Sequence, residues 1–142
     1  MNLDRVINFY QTLTPESVGH LTELYSADAC FKDPFNEVRG VAAILRIFTH
    51  MFQQVDAPRF VVTDRIASDN TAMLVWEFSF RVRRWGHSET RRIRGASHLI
   101  FAADGKIDSH RDYWDAAEEL YMKLPVIGCL MAGLQRMLSA SG

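Results

Sequence analysis

Apolar residues in the first 55 positions recur at intervals of three and four, the spacing of one face of an α-helix. The first stripe predicts a helix that ends near Thr12, and the second predicts a helix that begins after Thr14. Thr14 can accept hydrogen bonds from the free amides of that second helix, Pro15 fits its first position, and Glu16 suits its positive end. A third stripe predicts a helix over residues 41–55. The three stripes consist of Leu3, Val6, Ile7, Tyr10 and Leu13; of Val18, Leu21, Leu24 and Tyr25; and of Ile44, Leu45, Phe48, Met51, Phe52 and Val55.

Alternation of apolar and polar residues takes over in the second half of the chain and predicts β-strands. Connections near Asn70, Trp85 and Gly105 separate four long strands, and a shorter strand precedes the third helix. Because Trp76 and its apolar neighbours would otherwise lie in water, that helix must cover one face of the sheet. We therefore expect an α+β fold built on an antiparallel meander. The predicted strands are residues 29–34, 59–68, 72–83, 91–102 and 106–114.

The helical spacing returns at Ala116, breaks at Pro125 and resumes over residues 126–138, which makes the end of the chain unusually apolar. No repeat, low-complexity stretch or linker separates this part from the rest. We therefore expect one domain over residues 1–142, with residues 116–142 as its C-terminal helical extension. Soluble monomers rarely expose such an apolar stripe. The segment is expected to close the mouth of a pocket or to form the interface of a homodimer.

The charge of the chain argues against nucleic acid as a partner. Sixteen Lys and Arg residues against 17 Asp and Glu give a formal net charge of -1, so no global basic footprint for nucleic acid is present. The densest basic stretch, residues 81–84 and 91–94, flanks a turn; it is interpreted as the solvated face of a hairpin, with a patch for phosphate or an acidic partner as the alternative.

The cysteines and the N-terminus bear on the compartment. Cys30 and Cys129 lie in apolar surroundings far apart in the sequence, which predicts buried thiols in a reducing environment. The first residues contain no apolar signal core, and no apolar run approaches the length of a membrane span. We expect a cytoplasmic protein that does not bind membranes.

Four local motifs follow one another at a characteristic spacing: Val6-Ile7-Asn8-Phe9-Tyr10, Leu24-Tyr25-Ser26-Ala27-Asp28-Ala29, Phe31-Lys32-Asp33-Pro34 followed by Arg39-Gly40, and Ser109-His110-Arg111-Asp112-Tyr113-Trp114-Asp115. In this order, and over residues 3–115, the sequence resembles the superfamily of nuclear transport factor two, ketosteroid isomerase and the SnoaL-like polyketide cyclases. The resemblance implies a cone: a curved, mainly antiparallel sheet wrapped around N-terminal helices and hollow at its wide end. It does not imply one activity, because the superfamily contains isomerases, cyclases, epoxide hydrolases, dehydratases and non-catalytic adaptors.

The resemblance to ketosteroid isomerase implies roles for three residues. Asp33 matches the general base of that enzyme in the same Asp-Pro context before the third helix, and Tyr10 matches its oxyanion-binding tyrosine. Ser97 falls where the enzyme has a protonated aspartic acid. A serine hydroxyl can donate a hydrogen bond but lacks that acidity, so the resemblance does not carry over steroid isomerisation itself.

Strand alternation independently predicts which side chains face the pocket. If Trp76 points inward, then Leu74, Phe78 and Phe80 do so too, because side chains two apart share a face. On the last strand an inward Trp114 brings Asp112 and His110 with it. The predicted catalytic residues are Asp33, Tyr10, His110 and Asp112, and the predicted ligand-binding residues are Ser97, Trp76, Phe78, Phe80 and Trp114.

These residues support one main functional hypothesis. A small, largely apolar molecule would bind in the pocket, where a partly desolvated Asp33 would be a better base near neutral pH and would transfer protons as in an isomerase or cyclase. Purely structural roles stay open as alternatives: Asp33 also fits a solvated loop, Tyr10 fits a helix core, and His110 and Asp112 fit a buried structural contact.

Two further hypotheses come from other classes of protein. The chain can be a non-catalytic ligand-binding or dimerisation module, or it can activate water with Asp33 and Asp112 in the manner of limonene epoxide hydrolases. The latter also requires an arginine, and Arg94 and Arg111 both point away from the pocket by strand alternation. The spacing of His20, His50, His87 and His98 indicates no metal site. We expect no metal and no cofactor.

Overall fold

The computed structural model describes residues 1–82 and 89–119, together with Gly133 and Arg136. The predicted turn at Trp85, the thiol of Cys129 and the apolar stripe over residues 126–138 lie outside these residues. The helices are α1 (Leu3–Gln11), α2 (Leu21–Leu24), α3 (Val41–Gln54) and α4 (Ala116–Glu119), and the strands are β1 (Tyr25–Lys32), β2 (Glu37–Arg39), β3 (Val55–Ser68), β4 (Thr71–Val82), β5 (Arg91–Phe101) and β6 (Ile107–Tyr113).

The strands form one six-stranded sheet in the order β2-β1-β6-β5-β4-β3. All neighbours are antiparallel except β1 and β6, which run parallel with Phe31 opposite His110. The α+β class and the mainly antiparallel curved sheet around N-terminal helices are therefore confirmed. The parallel pair places the early motif around Phe31 directly beside the late motif around His110.

The second predicted helix is shorter than expected. Thr14 does accept from the amide of Ser17 through its hydroxyl oxygen, at 3.1 Å. A turn and a single 3₁₀ turn over Val18–His20 follow, and α2 contains only four residues. Tyr25, assigned to this helix by its spacing, is extended instead and begins β1 (φ -105, ψ 146), because the chain there pairs with Ile107 of β6.

The third helix covers the inner face of the sheet, defined as the face that carries Trp76. Its start depends on Gly40, whose φ of 97° is costly for any other residue, and its bounds agree with the prediction to within one residue. Ile44 and Phe48 are its buried positions, and the ring of Phe48 lies 5.8 Å from that of Phe31 on β1. The core thus lies between α3, α1 and the inner face.

Cys30 corrects one prediction from the sequence. Its thiol is exposed, because it alternates with the inward Phe31 and faces outward beside Arg39 and Ser109 of the neighbouring strands. The apolar residues around Cys30 in the sequence belong to the other face of the strand. Among the described helices, none has both the length and the apolar character needed to cross a bilayer.

Candidate functional site

A cavity of about 830 Å³ opens between α3 and the inner face of the sheet. Its wall is mostly apolar, and two carboxylates, Asp33 and Asp112, reach it. A recess of about 40 Å³ adjoins the cavity, since both share Phe48, Phe60, Trp76 and Asp112 in their linings. Buried residues surround the recess, which is therefore the inner end of the site. Its polar lining consists of Tyr10, Trp76, Ser97, His110 and Asp112.

Aromatic rings from neighbouring strands form one wall. Phe60 and Phe78 stack with their centroids 4.2 Å apart, and Phe78 stacks in turn on Phe80 at 4.9 Å. Phe78 and Trp76 line the cavity, as the alternation predicts. Phe80 is buried behind Phe78 and supports this wall from the core. Trp114 also lines the cavity and is partly buried against the core.

The carboxylate of Asp112 receives two hydrogen bonds on the same oxygen. The Ser97 hydroxyl lies 2.5 Å from Asp112 Oδ1, and His110 Nε2 lies 2.7 Å from it. Ser97 faces Asp112 across the pair of β5 and β6, and His110 shares the inward face of β6 with Asp112. The indole of Trp76 donates to the Ser97 oxygen at 2.8 Å. Four of the predicted site residues therefore meet in one contiguous chain of contacts.

The chain of hydrogen bonds continues behind His110 through a residue that sequence reasoning missed. The Tyr25 hydroxyl lies 2.5 Å from His110 Nδ1, and the Tyr10 hydroxyl is hydrogen-bonded to that of Tyr25. Burial raises the pKa of both phenols well above the ordinary value, so both remain neutral. One signal could have identified Tyr25: it lies six residues before Phe31, so extending β1 backward places it on the inward face.

The second oxygen of Asp112 is the open position of the site. No described residue donates a hydrogen bond to Oδ2, and no buried side-chain nitrogen or oxygen of the described residues lacks a partner. Oδ2 is therefore not enclosed, in agreement with the 16% exposure of the Asp112 side chain. Asp112 itself lines both the cavity and the recess. A ligand there can contact the carboxylate directly.

Asp33 lies apart from this chain of contacts. Its Oδ1 accepts from the amides of Phe35 at 2.8 Å and Asn36 at 2.6 Å, and the Asn36 side chain donates to both carboxylate oxygens at 3.1 Å. These bonds close the loop between β1 and β2 in the manner of an Asx turn. Asp33 borders the cavity at its rim near Trp114, and its role as a base remains a prediction.

Gly95 permits the packing of the two tryptophans at the site. A Cβ at this position would lie 2.6 Å from the Trp76 ring and 3.1 Å from Trp114 Cβ. No side chain fits there while Trp76 keeps its place. The position of the indole, and with it the hydrogen bond to Ser97, depends on the absence of a side chain at residue 95.

Comparison with known proteins now identifies the family. The sequence profile of the SnoaL-like domain matches residues 6–110. The chain belongs to the SnoaL-like family. A search of curated proteins finds no match.

Solved structures similar to this SnoaL-like chain share its fold. A nuclear transport factor two-like protein of unknown function from Exiguobacterium sp. 255-15 has a TM-score of 0.69 and 18% identity, covering 81% of this chain and 98% of that one. A protein with a ketosteroid isomerase-like fold from Catenulispora acidiphila DSM 44928, in complex with trimethylamine, has a TM-score of 0.69 and 14% identity, covering 83% and 88%. An LEH-like epoxide hydrolase from M. tuberculosis has a TM-score of 0.65 and 14% identity, covering 97% and 93%. At these identities the similarity shows the fold alone.

Proposed function

We propose that this SnoaL-like protein binds a small, largely apolar molecule in the cavity beneath α3 and that Asp112 exchanges a proton with it. Asp112 carries the proposal: its Oδ2 is unpaired among the described residues, and the residue lines both the apolar cavity and the polar recess. A mostly apolar wall with a few convergent polar groups is the usual anatomy of a small-molecule site.

The contacts of Asp112 suit a base. Ser97 and His110 both donate to Oδ1, which holds the carboxylate in one orientation and leaves Oδ2 unpaired among the described residues. The side chain of Asp112 is only 16% exposed and borders a mostly apolar wall, so a bound apolar molecule can lie against the carboxylate. The reaction class is proton transfer of the isomerase or cyclase kind.

Asp33 is the second carboxylate of the same cavity and remains a candidate for that role. Its oxygens are engaged by its own loop, which supports Asp112 as the first choice. Water activation by both carboxylates, as in an epoxide hydrolase, is less well supported. Arg94 binds Glu119 at 3.0 Å, the guanidinium of Arg111 lies over the exposed Tyr113, and neither arginine lines the cavity.

We also propose that the protein forms a homodimer. A homodimer is compatible with the alternative function of a non-catalytic binding or dimerisation module. The outer face of the sheet carries exposed apolar side chains on β3 and β4: Ile66, which is 65% exposed, and the less exposed Val61 and Val75. Covering such a patch removes apolar surface from water. Sedimentation of the parent and an Ile66→Lys variant would test this, and a monomeric parent would contradict it.

The elimination of 5-nitrobenzisoxazole tests the proton transfer. In this reaction a base removes one C–H proton, the ring N–O bond breaks, and a coloured cyanophenolate is released, so a carboxylate in an apolar pocket needs no other group. We expect saturable turnover by the parent protein. Asp112→Asn should lower kcat by about a hundredfold or more, because general-base catalysis supplies at least that factor.

Two variants complete this experiment. Asp108→Asn removes the same charge from an exposed position of the same strand and should leave turnover unchanged. Asp33→Asn decides between the two carboxylates, since a larger loss there than in Asp112→Asn would transfer the role to Asp33. Turnover no faster than that of free acetate at equal concentration would contradict the proposal altogether.

A further inference from the structure

The hydrogen bonds of the recess have a direction that can be worked out atom by atom. The indole N–H of Trp76 is a donor only, so the Ser97 oxygen must accept from it. The single Ser97 proton is then directed at Asp112 Oδ1, 2.5 Å away. Neither Trp76 nor Ser97 has a hydrogen left to offer to a ligand.

The same holds on the other side of Asp112. His110 is 4% exposed and its ring lies among those of Tyr10, Tyr25 and Phe31, while its Nε2 lies 2.7 Å from Asp112 Oδ1, which can only accept. In its neutral form the one N–H is Nε2–H, which donates to Asp112, and Nδ1 accepts the hydroxyl proton of Tyr25. The Tyr25 oxygen in turn accepts from Tyr10. Every hydrogen of this chain therefore points toward Asp112.

We infer that the recess receives a ligand group that donates a hydrogen bond, an O–H or N–H, and discriminates against a carbonyl oxygen. The inference rests on the proposed binding function and names the chemical class of the ligand's polar end. Asp112 Oδ2 is an acceptor in need of a donor, whereas Tyr10, Trp76, Ser97 and His110 have already directed their protons elsewhere. A carbonyl oxygen placed here would face a carboxylate and lone pairs, without a donor.

This conclusion differs from the role that the resemblance to ketosteroid isomerase implies for Tyr10. An oxyanion-binding tyrosine must direct its O–H at the ligand. Here the Tyr10 hydroxyl is engaged with Tyr25, and both phenols remain neutral with one proton each. In this chain Tyr10 supplies the far end of the series of donors that stabilises Asp112.

Three probes of similar size test the inference by calorimetry: 4-ethylphenol, which has a donor; 4-ethylanisole, in which the donor is methylated; and 4-methylacetophenone, which can only accept. The parent should bind 4-ethylphenol about tenfold or more tightly than the other two, the factor expected for a hydrogen bond to a charged acceptor. Equal affinities, or tighter binding of the ketone, would overturn the inference while leaving the proposed binding intact. If none of the three probes binds saturably, both the proposed binding function and this inference are rejected.

The substitution Asp112→Asn reverses the chemistry with little change in shape. The Asn oxygen would take over the two bonds from Ser97 and His110, and its NH₂ group would replace Oδ2 as a donor at the recess. The affinity for the ketone should rise by at least about tenfold relative to the affinity for 4-ethylphenol. Asp108→Asn is the matched change at an exposed position of β6, and it should bind the three probes in the same order of affinity as the parent. If Asp112→Asn binds the probes in the same order of affinity as the parent, Asp112 is not the acceptor that selects the ligand.

Nitrogen NMR of the imidazole provides a readout that does not depend on any ligand. The His110 signal, identified by its loss in His110→Gln, should be that of a neutral ring with the proton on Nε2. A doubly protonated ring at the pH of the binding assay would overturn the inference. In that state Nδ1–H donates to Tyr25, both hydroxyls reverse, and the Tyr10 proton turns toward the recess.

Discussion

The rings of Tyr25 and His110 lie parallel, with centroids 6.0 Å apart and an interplanar angle of 6°, and the Tyr25 hydroxyl meets Nδ1 of the same histidine at 2.5 Å. One residue of β1 thus fixes both the plane and the hydrogen-bonding state of a residue of β6. Tyr25 is only 1% exposed, so water cannot replace its hydroxyl readily.

Removing that hydroxyl should destabilise the fold. In Tyr25→Phe the buried Nδ1 of His110 loses its donor, which is expected to lower the free energy of unfolding by about 1–3 kcal/mol. Urea denaturation of the parent and the variant measures this free energy. Tyr113→Phe is the matched control, because Tyr113 is exposed. A loss no greater than in the control would contradict the contact.

Alkaline pH should weaken the protein through Tyr10 and Tyr25. Burial raises the pKa of both phenols above that of an unfolded tyrosine, about 10. Below that pH both states keep these protons and stability is unaffected. Above it the unfolded chain releases them while the folded chain does not, so the free energy of unfolding falls as pH rises.

Two observations check this dependence. The tyrosinate absorbance of Tyr10 and Tyr25 should emerge only together with unfolding, and Tyr25→Phe should show a shallower decline of stability above pH about 10. Ionisation of all tyrosines before any loss of structure would show that these phenols are not enclosed.

A methyl group at residue 95 should displace an indole. Gly95→Ala places Cβ 2.6 Å from the Trp76 ring, and the shift needed to relieve this contact breaks the bond to Ser97. We expect a loss of about 1–3 kcal/mol in unfolding free energy and a changed tryptophan emission spectrum. Gly19→Ala has no atom within 4 Å of the new Cβ and serves as the control. Equal melting temperatures for the two variants would refute the steric argument.

Asp33 should contribute to stability through its loop. Asp33→Asn weakens the hydrogen bonds from the Phe35 and Asn36 amides and opposes two NH₂ groups at Asn36, with an expected loss of about 1 kcal/mol. Thermal melts against Asp108→Asn measure this effect. A variant as stable as the control would instead strengthen Asp33 as the catalytic carboxylate.

Much of the architecture could be predicted from local pattern. The spacing of α3 and the alternation on β4 and β6 need only neighbours in sequence, which is why Trp76, His110 and Asp112 are on the expected face. Tyr25 was assigned to a helix because a four-residue spacing from Leu21 coincides with the start of a strand. The deciding interaction, its pairing with Ile107, is remote in sequence and leaves no local signal.

Two other differences have similar causes. β2 contains three residues, too few for alternation to be visible. Cys30 was expected to be buried because its neighbours are apolar, yet the strand turns consecutive side chains to opposite faces. The direction of hydrogen bonds around Asp112 lay beyond sequence reasoning, since it depends on distances between four strands.

The parallel pairing of β1 with β6 also has a consequence for how the protein is made. Tyr25 and His110 are 85 residues apart, so during synthesis the hydroxyl of Tyr25 has no acceptor at His110 until β6 has left the ribosome. Contacts between residues so far apart in sequence form late, because the entropy of closing the intervening loop is lost before the contact contributes any stabilising energy. A nascent chain halted before Ile107 would already contain α1, α2 and α3, but Tyr10 and Tyr25 would lack the histidine that completes their hydrogen bonds. Such a stalled intermediate should be recognised by chaperones as incomplete.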